Sequence, residues 1–408
     1  MSLLGRSKTR FFFKESLKSA VFSVARMLLD LRRPLNLRNV QKILVIHAGS
    51  AGLGDTLLSS SVLKPLKEKF PDAKITFMVR KSAETLIKNN PLVSEIIVYD
   101  SEDNLKSPVL REFCPFLFVP SIFSKHFDLV VHLDHGTRFL LMSFLSGIRN
   151  RIGPDYEGRG FLLNSSAFFP APNQRNKHEV EYYLDLLRSA GIPAKETENL
   201  IKIYPSGSDE KFAEELIRDS GFDKNSPFIG IHPFAMWHLR CWNAEKFAEV
   251  ANELSLEYGA KVIIFGGARD LENMEKLRSL IKCDFVDAVG KTTLSQTAAL
   301  MEKCKLVIAN DSGVSHLASA TSTTVLTLFG AANPVRWGPY GKRHKVIYKR
   351  LYCSPCDQNF LYDVSRCWSK TGKPECMEAI SVSDVLEEAR KIIGKAKKAV
   401  RQPKKKFR

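Results

Sequence analysis

Lys305-Leu-Val-Ile-Ala-Asn-Asp311-Ser312-Gly313-Val-Ser-His316-Leu-Ala-Ser-Ala320 is the stretch from which the fold can be read. Its unbroken apolar run, Leu306 to Ala309, shows no alternation, which predicts a parallel strand covered on both faces. Asp311 and Ser312 follow at once and are preferred helix-capping residues, while Gly313 lets a ligand approach the backbone closely. First-turn N–H groups and the helix dipole then favour an anion, phosphate above all. The plainer alternative is an ordinary capped helix in an α/β protein, because Asp and Ser cap helices with or without a ligand.

Outward from this segment the same alternation recurs. Phe228-Ile-Gly-Ile-His232-Pro233 reads as a strand edge, and Asn243 to Tyr258 as a helix leading to Lys261-Val-Ile-Ile-Phe-Gly266-Gly267. Asp284 to Val289 and Thr324 to Gly330 read as further strands. In the first half, Lys42-Ile-Leu-Val-Ile-His47 is an apolar strand and Ala48-Gly49-Ser-Ala-Gly52-Leu-Gly54-Asp55-Thr56 a glycine-rich turn into a helix reaching Phe70. These glycines lack the GxGxxG order of a dinucleotide site. The turn instead places the Asp55 carboxylate at the carboxyl end of the first strand, where open α/β sheets keep their ligands. Strands are expected at Lys74–Val79, Glu95–Tyr99 and Phe127–His132, and a helix at His178–Ala190, ended by Gly191 and Pro193.

The polar segment Tyr204 to Asp209 separates this alternation from its restart, and 408 residues exceed what one core usually supports. The expected fold is therefore α/β, with two doubly wound, Rossmann-like domains facing a cleft. The first domain is expected over residues 42–205 and the second over 206–388, flanked by extensions 1–41 and 389–408.

Charge is distributed unevenly. Residues 1–42 hold ten Lys or Arg against Glu15 and Asp30, and residues 389–408 hold ten with no acid. These ends contribute +8 and +10 to a total of +17, so the body is near neutral. That argues against a basic nucleic-acid-binding groove and for termini that sit on an anionic surface. Phe13, Leu17, Ala20, Val24, Leu28 and Leu31 recur at helical spacing opposite Lys14, Lys18, Arg26 and Asp30, a basic amphipathic pattern. Arg32, Arg33 and Lys404-Lys405-Lys406 add attraction for anionic lipid. The alternative is a helix bracing the first domain. Charges recur too often there for a membrane span or a signal peptide, so peripheral association with a membrane is expected.

Taken together, these segments resemble the heptosyltransferases of glycosyltransferase family nine, which have the GT-B fold. The resemblance runs from about Lys42 to Val385. It rests on Gly54-Asp55, Leu63-Lys64-Pro-Leu-Lys67, His178-Glu-Val-Glu-Tyr-Tyr-Leu, His232-Pro233, Arg240-Cys241-Trp242, Gly266-Gly267, Val289-Gly290-Lys291-Thr292, the Asp311-Ser312-Gly313-His316 run and Leu328-Phe329-Gly330. It implies a donor site in the second domain. Asp311, Ser312 and Gly313 would lie at the diphosphate and donor sugar, with His316 one turn on, and Asp270 would meet the ribose. His232, Gly266, Gly267, Lys291 and Thr292 complete the implied donor set. Arg240 stands where the family usually has Lys, and a guanidinium can bind a diphosphate bidentately.

Asp55 matches the family's general base, taking the acceptor hydroxyl's proton as the sugar transfers with inversion; its other reading is a helix cap. The implied reaction moves heptose, or a related sugar, from ADP-heptose or another nucleotide-sugar to a lipopolysaccharide core or similar glycolipid. The resemblance thereby implies a cytoplasmic protein held peripherally at the inner membrane. No cofactor is required if Arg240 and the helix start neutralise the leaving group. The rival readings are a GT-B nucleotide-sugar epimerase and a non-catalytic membrane- or nucleic-acid-binding protein acting through its tails.

Three features stand outside this scheme. His132 and His135 flank Asp134 near a strand end and read as structural, and Arg149-Asn-Arg151 reads as solvated charge, with acceptor phosphates as its alternative. Cys353, Cys356, Cys367 and Cys376 gather late in the chain. Four thiolates suit a structural zinc, but the second pair lacks knuckle spacing, so free thiols in a reducing compartment are the preferred reading.

Overall fold

The computed structural model describes residues 34–49, 52–100, 113–134, 136–155, 159–170, 174–197, 200–223, 226–356 and 366–394. The expected N-terminal amphipathic helix, His135 and the last fourteen residues lie outside them. No described helix is long and apolar enough to cross a membrane.

The chain divides into two compact units. The first runs to Arg175 and resumes at Glu179–Glu196; the second takes Asn176–His178 and everything from Thr197. This boundary precedes the polar segment because Ile201 and Ile203 are already buried, and the Ile203 N–H donates to the Ala320 carbonyl at 3.0 Å. At the other end the helix Val382–Ile393 continues past residue 388, with Ala389 fully buried in the second core. Residues 389–393 are therefore helix, not tail.

Each unit is built on one six-stranded, all-parallel sheet. In the first, β1 (Lys42–His47), β2 (Lys74–Arg80), β3 (Glu95–Tyr99), β4 (Leu129–His132), β5 (Asn150–Asp155) and β6 (Ser165–Phe168) lie in the order β3-β2-β1-β4-β5-β6. In the second, β7 (Phe228–His232), β8 (Lys261–Ile264), β9 (Phe285–Asp287), β10 (Cys304–Asn310), β11 (Thr324–Phe329) and β12 (Lys345–Tyr348) lie in the order β12-β11-β10-β7-β8-β9. Numbered within their own units, both follow 3-2-1-4-5-6, the dinucleotide-fold order, in which connections reverse direction between the first and fourth strands. The central strands are buried on both faces, as their continuous apolar runs require.

The predicted helix from the glycine-rich turn to Phe70 is in fact three pieces: Leu53–Ser59, a 3-10 turn Ser60–Val62, and Leu63–Lys69. The break falls in a serine run whose hydroxyls turn back on the backbone, Ser59 to the Thr56 carbonyl and Ser60 to that of Leu57.

Candidate donor and acceptor sites

In the second unit the reversal point lies between β7 and β10, where Ala309 is in register with His232. The chain leaving β10 therefore passes beside the chain leaving β7. Asn310, fully buried, joins the two: its side chain accepts from the Trp242 N–H at 3.0 Å and donates to the Pro233 carbonyl at 2.8 Å. Trp242 is anchored in turn by its indole N–H on the Ile380 carbonyl, 2.9 Å away, and by an edge contact with Phe247. The 233–242 loop is thus held at both ends against the tip of β10.

That loop delivers Arg240. Its Nη1 lies 3.0 Å from Asp311 Oδ2, and the guanidinium stacks 4.4 Å over the Trp237 ring. Asp311 is nearly enclosed, whereas Arg240 keeps about a fifth of its side-chain surface in water. Ser312 occupies the N-cap position of the helix Gly313–Ser319, yet its side chain makes no cap bond; its hydroxyl lies 3.4 Å from His232 Nδ1. Ser312 thus does not spend its side chain on the capping that its type suggests. His316 is buried one turn on, and its Nδ1 has no hydrogen-bond partner among the described residues, nor does Arg240 Nε. Burial lowers His232 to about 3; burial, then the charges of His178 and Arg240, does the same for His316. Both rings are neutral at physiological pH, able to accept or donate without adding charge.

The remaining expected donor residues divide. Gly266 follows β8 and accepts from the Gly290 N–H at 3.0 Å; a Cβ there would come within 2.9 Å of the Phe234 ring, so only glycine fits. The Asp270 carboxylate accepts from the Gly267 N–H at 2.8 Å, a cap on the short turn Ala268–Asp270, and burial raises its pKa. Lys291 pairs with Asp287 at 3.1 Å, and the Thr292 hydroxyl lies 2.7 Å from that of Thr297. His232, Arg240, Asp311, Ser312 and His316 come together around the β7–β10 reversal, while Asp270, Lys291 and Thr292 are tied locally.

The first unit repeats this design between β1 and β4. Asp134, just past β4, accepts from the N–H groups of Ala48 and Gly49 at 2.8 and 3.0 Å, and Arg80 Nε donates to the Gly49 carbonyl at 2.8 Å. A Cβ on Gly49 would stand 2.9 Å from Asp134, so glycine permits the clamp. The clamped turn leads to Asp55, third residue of the helix Leu53–Ser59, whose carboxylate accepts from the Gly52 N–H at 2.9 Å. His47, at the end of β1, is buried with its Nε2 3.4 Å from the Tyr183 hydroxyl. Arg80 carries no motif in the sequence, Tyr183 belongs to the His178–Leu184 segment without standing out from it, and Asp134 is marked by its place at the end of a strand.

His132 is structural as expected: buried, 2.9 Å from the Ser143 hydroxyl, and lowered to about 3 by burial and then by Arg151. Arg151 corrects the expectation of solvated charge, for it is 5% exposed and donates to the carbonyls of Leu162 and Arg149. Cys353, Cys356 and Cys376 are buried and Cys367 half-buried. Among the described residues no cluster of three or more His, Cys, Asp or Glu side chains could hold a metal ion.

Each unit thus gathers polar side chains at the reversal point of its sheet, where open α/β sheets keep their ligands. The family model "Glycosyltransferase family 9 (heptosyltransferase)" matches residues 118–360. A lipopolysaccharide heptosyltransferase 3 of Escherichia coli is 26% identical over 290 residues, covering 70% of this chain and 83% of the relative. The glycosyl transferase family 9 structure from Veillonella parvula superposes with a TM-score of 0.75 at 22% identity, over 88% of this chain and 99% of that one. The E. coli ADP-heptose lipopolysaccharide heptosyltransferase II structure gives 0.66 at 24% identity, over 86% and 98%. The chain is a GT-B-like glycosyltransferase and belongs to glycosyltransferase family 9.

Proposed function

We propose that this enzyme transfers heptose, or a closely related sugar, from a nucleoside-diphosphate donor to a lipopolysaccharide core or similar glycolipid, with inversion. The observation that carries the reading is the Arg240–Asp311 pair beside Ser312 and the buried, neutral His316. A guanidinium held at a strand tip supplies a fork for a diphosphate, and the adjacent hydroxyl and imidazole supply hydrogen bonds without further charge. As the sugar's anomeric carbon bonds to the acceptor oxygen, its bond to the diphosphate breaks, and Arg240 meets the charge that develops there.

Asp55 is the proposed base, receiving the acceptor hydroxyl's proton. Its cap bond from Gly52 orients the carboxylate, so capping and catalysis coexist in one side chain. ADP is the favoured nucleotide, since the ADP-heptose enzyme of E. coli shares the fold. Donor binding uses the chain's own residues with no added cofactor, and the four late cysteines serve as reduced thiols. The basic termini hold the enzyme at the cytoplasmic face of the membrane, where such an acceptor is embedded.

The test is transfer from ADP-, GDP- and UDP-sugars to a deacylated core acceptor. Asp55→Asn should lower turnover by roughly 10²–10⁴ with ADP affinity retained. Unchanged turnover would remove Asp55 from the reaction, and absence of transfer from every donor would reject the substrate class.

A further inference from the structure

The first unit carries a surface that the sugar chemistry leaves unused. Phe113, Leu117, Phe123 and Leu145 are 62, 73, 56 and 53% exposed. Phe113 directly precedes the 3-10 turn Cys114–Phe118, which contains Leu117; Phe123 lies on Val119–Lys125 and Leu145 ends Thr137–Leu145. The three elements touch one another: the Ser146 hydroxyl reaches the Val119 carbonyl at 3.4 Å, and a Cβ on Gly147 would meet the Phe123 ring at 3.6 Å. Single exposed apolar residues are ordinary, but here four stand on or beside three elements packed against one another.

Phe123 also walls a hollow of about 590 Å³ whose lining includes Arg38, Asn39, His126, Arg149 and Asn150. Arg38 and Arg149 are exposed. Asp128, the one carboxylate among the described lining residues, accepts instead from the backbone N–H groups of Gln41 and Lys42, both at 2.9 Å. The hollow therefore presents two guanidinium groups beside an apolar rim. Pro34 lines it as well, so residues 1–33, with eight basic residues against Glu15 and Asp30, join the body here. Like charge disfavours that segment as the occupant; hollow and segment both call for an anion.

We propose that this face of the first unit docks on an anionic phospholipid membrane, with Phe113, Leu117, Phe123 and Leu145 entering the interface and Arg38 and Arg149 meeting lipid phosphates. The partner class rests on the membrane reading above, but the contact belongs to the folded body and does not depend on the tails or on the sugar transferred. Apolar burial and attraction between basic residues and anionic lipid add on one surface, as in other peripheral binders.

Co-sedimentation of the full-length chain with phosphatidylglycerol–phosphatidylethanolamine vesicles tests this, with phosphatidylcholine vesicles as the uncharged control. Leu117→Ser/Phe123→Ser and Arg38→Ala/Arg149→Ala should each partition about tenfold more weakly. Turnover on a soluble deacylated acceptor should not change. Leu117→Trp keeps apolar bulk, so its fold is not at issue, and its fluorescence should be quenched by brominated lipid. Parental binding in both double variants, with loss only on neutralising Lys404, Lys405 and Lys406, would assign membrane binding to the tail and overturn the proposal. Absence of quenching at position 117, or loss of a dimer in the serine variant with vesicle binding intact, would overturn it too. Weakened vesicle binding in a chain that transfers no sugar would uphold the docking surface while rejecting the enzyme's substrate assignment.

Discussion

Arg240 and Asp311 divide one ion pair unequally between protein and water. The carboxylate is enclosed and the guanidinium partly open, so removing the cation takes a close positive charge from a buried anion while removing its binding function. Arg240→Ala should therefore cost about 2–4 kcal/mol of unfolding free energy. It should also lower kcat/KM by roughly 10- to 100-fold, the worth of a charge-assisted hydrogen bond. Arg240→Lys should recover most of the stability and less of the activity, because an ammonium keeps the charge without the fork. Chemical denaturation and ADP titration read the two effects separately; ADP affinity unchanged in Arg240→Ala would take the diphosphate away from this residue. The same residues show what single positions conceal in a sequence. Ser312 has a capping type and makes no cap bond, its hydroxyl lying against His232, while Asp311 faces Arg240; Asp55 and Asp270, expected to do chemistry, do cap. Type and local spacing were identical in kind, and the distant neighbour decided the use.

At the scale of elements, legibility followed continuous apolar runs, which β1 and β7 owe to burial on two faces and which β3 carries at the sheet edge. β1, β3, β7 and β11 stand where their continuous apolar runs put them. β5 and β6 escaped because Asn-Arg-Ile-Gly-Pro-Asp and Ser-Ser-Ala-Phe contain no such run. Pro154 of β5 lies beyond the last pair with β4 and opposite Ala167 of β6. β12 is a four-residue edge strand, Lys-Val-Ile-Tyr, whose apolar run is too short to stand out. The strand order was likewise unreadable, and it is the order that makes His232 and Asp311 neighbours and brings Asp134 to the glycine turn. Two side chains fix those crossings. Asp134→Ala would release the N–H groups of Ala48 and Gly49 and should cost about 2–3 kcal/mol, with turnover falling as the turn leading to Asp55 loosens. Asn310→Leu, similar in size, would strand the Trp242 N–H and the Pro233 carbonyl in a buried site. A comparable loss is expected, together with a raised KM for the donor and little change in kcat. A destabilised Asn310→Leu with parental donor KM would show the staple to be structural alone.

For the whole molecule, the two units differ in how they meet acid. Burial lowers His232, His316 and His344 in the second unit to about 3, and His132 in the first to the same value. Each ring binds its proton near pH 6.5 once unfolded, so between that pH and 3 the unfolded chain holds more protons than the folded one. Stability contributed by keeping these rings neutral is complete above pH 6.5 and is lost as pH falls through that window. One ring costs roughly 1.4 kcal/mol at pH 5.5, and three cost about 4. The second unit should weaken first on mild acidification. All four tryptophans, Trp237, Trp242, Trp337 and Trp368, belong to it, so tryptophan fluorescence reports that unit alone. Between pH 7.5 and 5.5 the fluorescence midpoint in urea should fall further than the remaining change in far-ultraviolet circular dichroism. His316→Gln and His344→Gln should each remove about a third of that fall, and a fluorescence midpoint that holds steady to pH 5.5 would contradict the assignment of neutral buried rings to this unit.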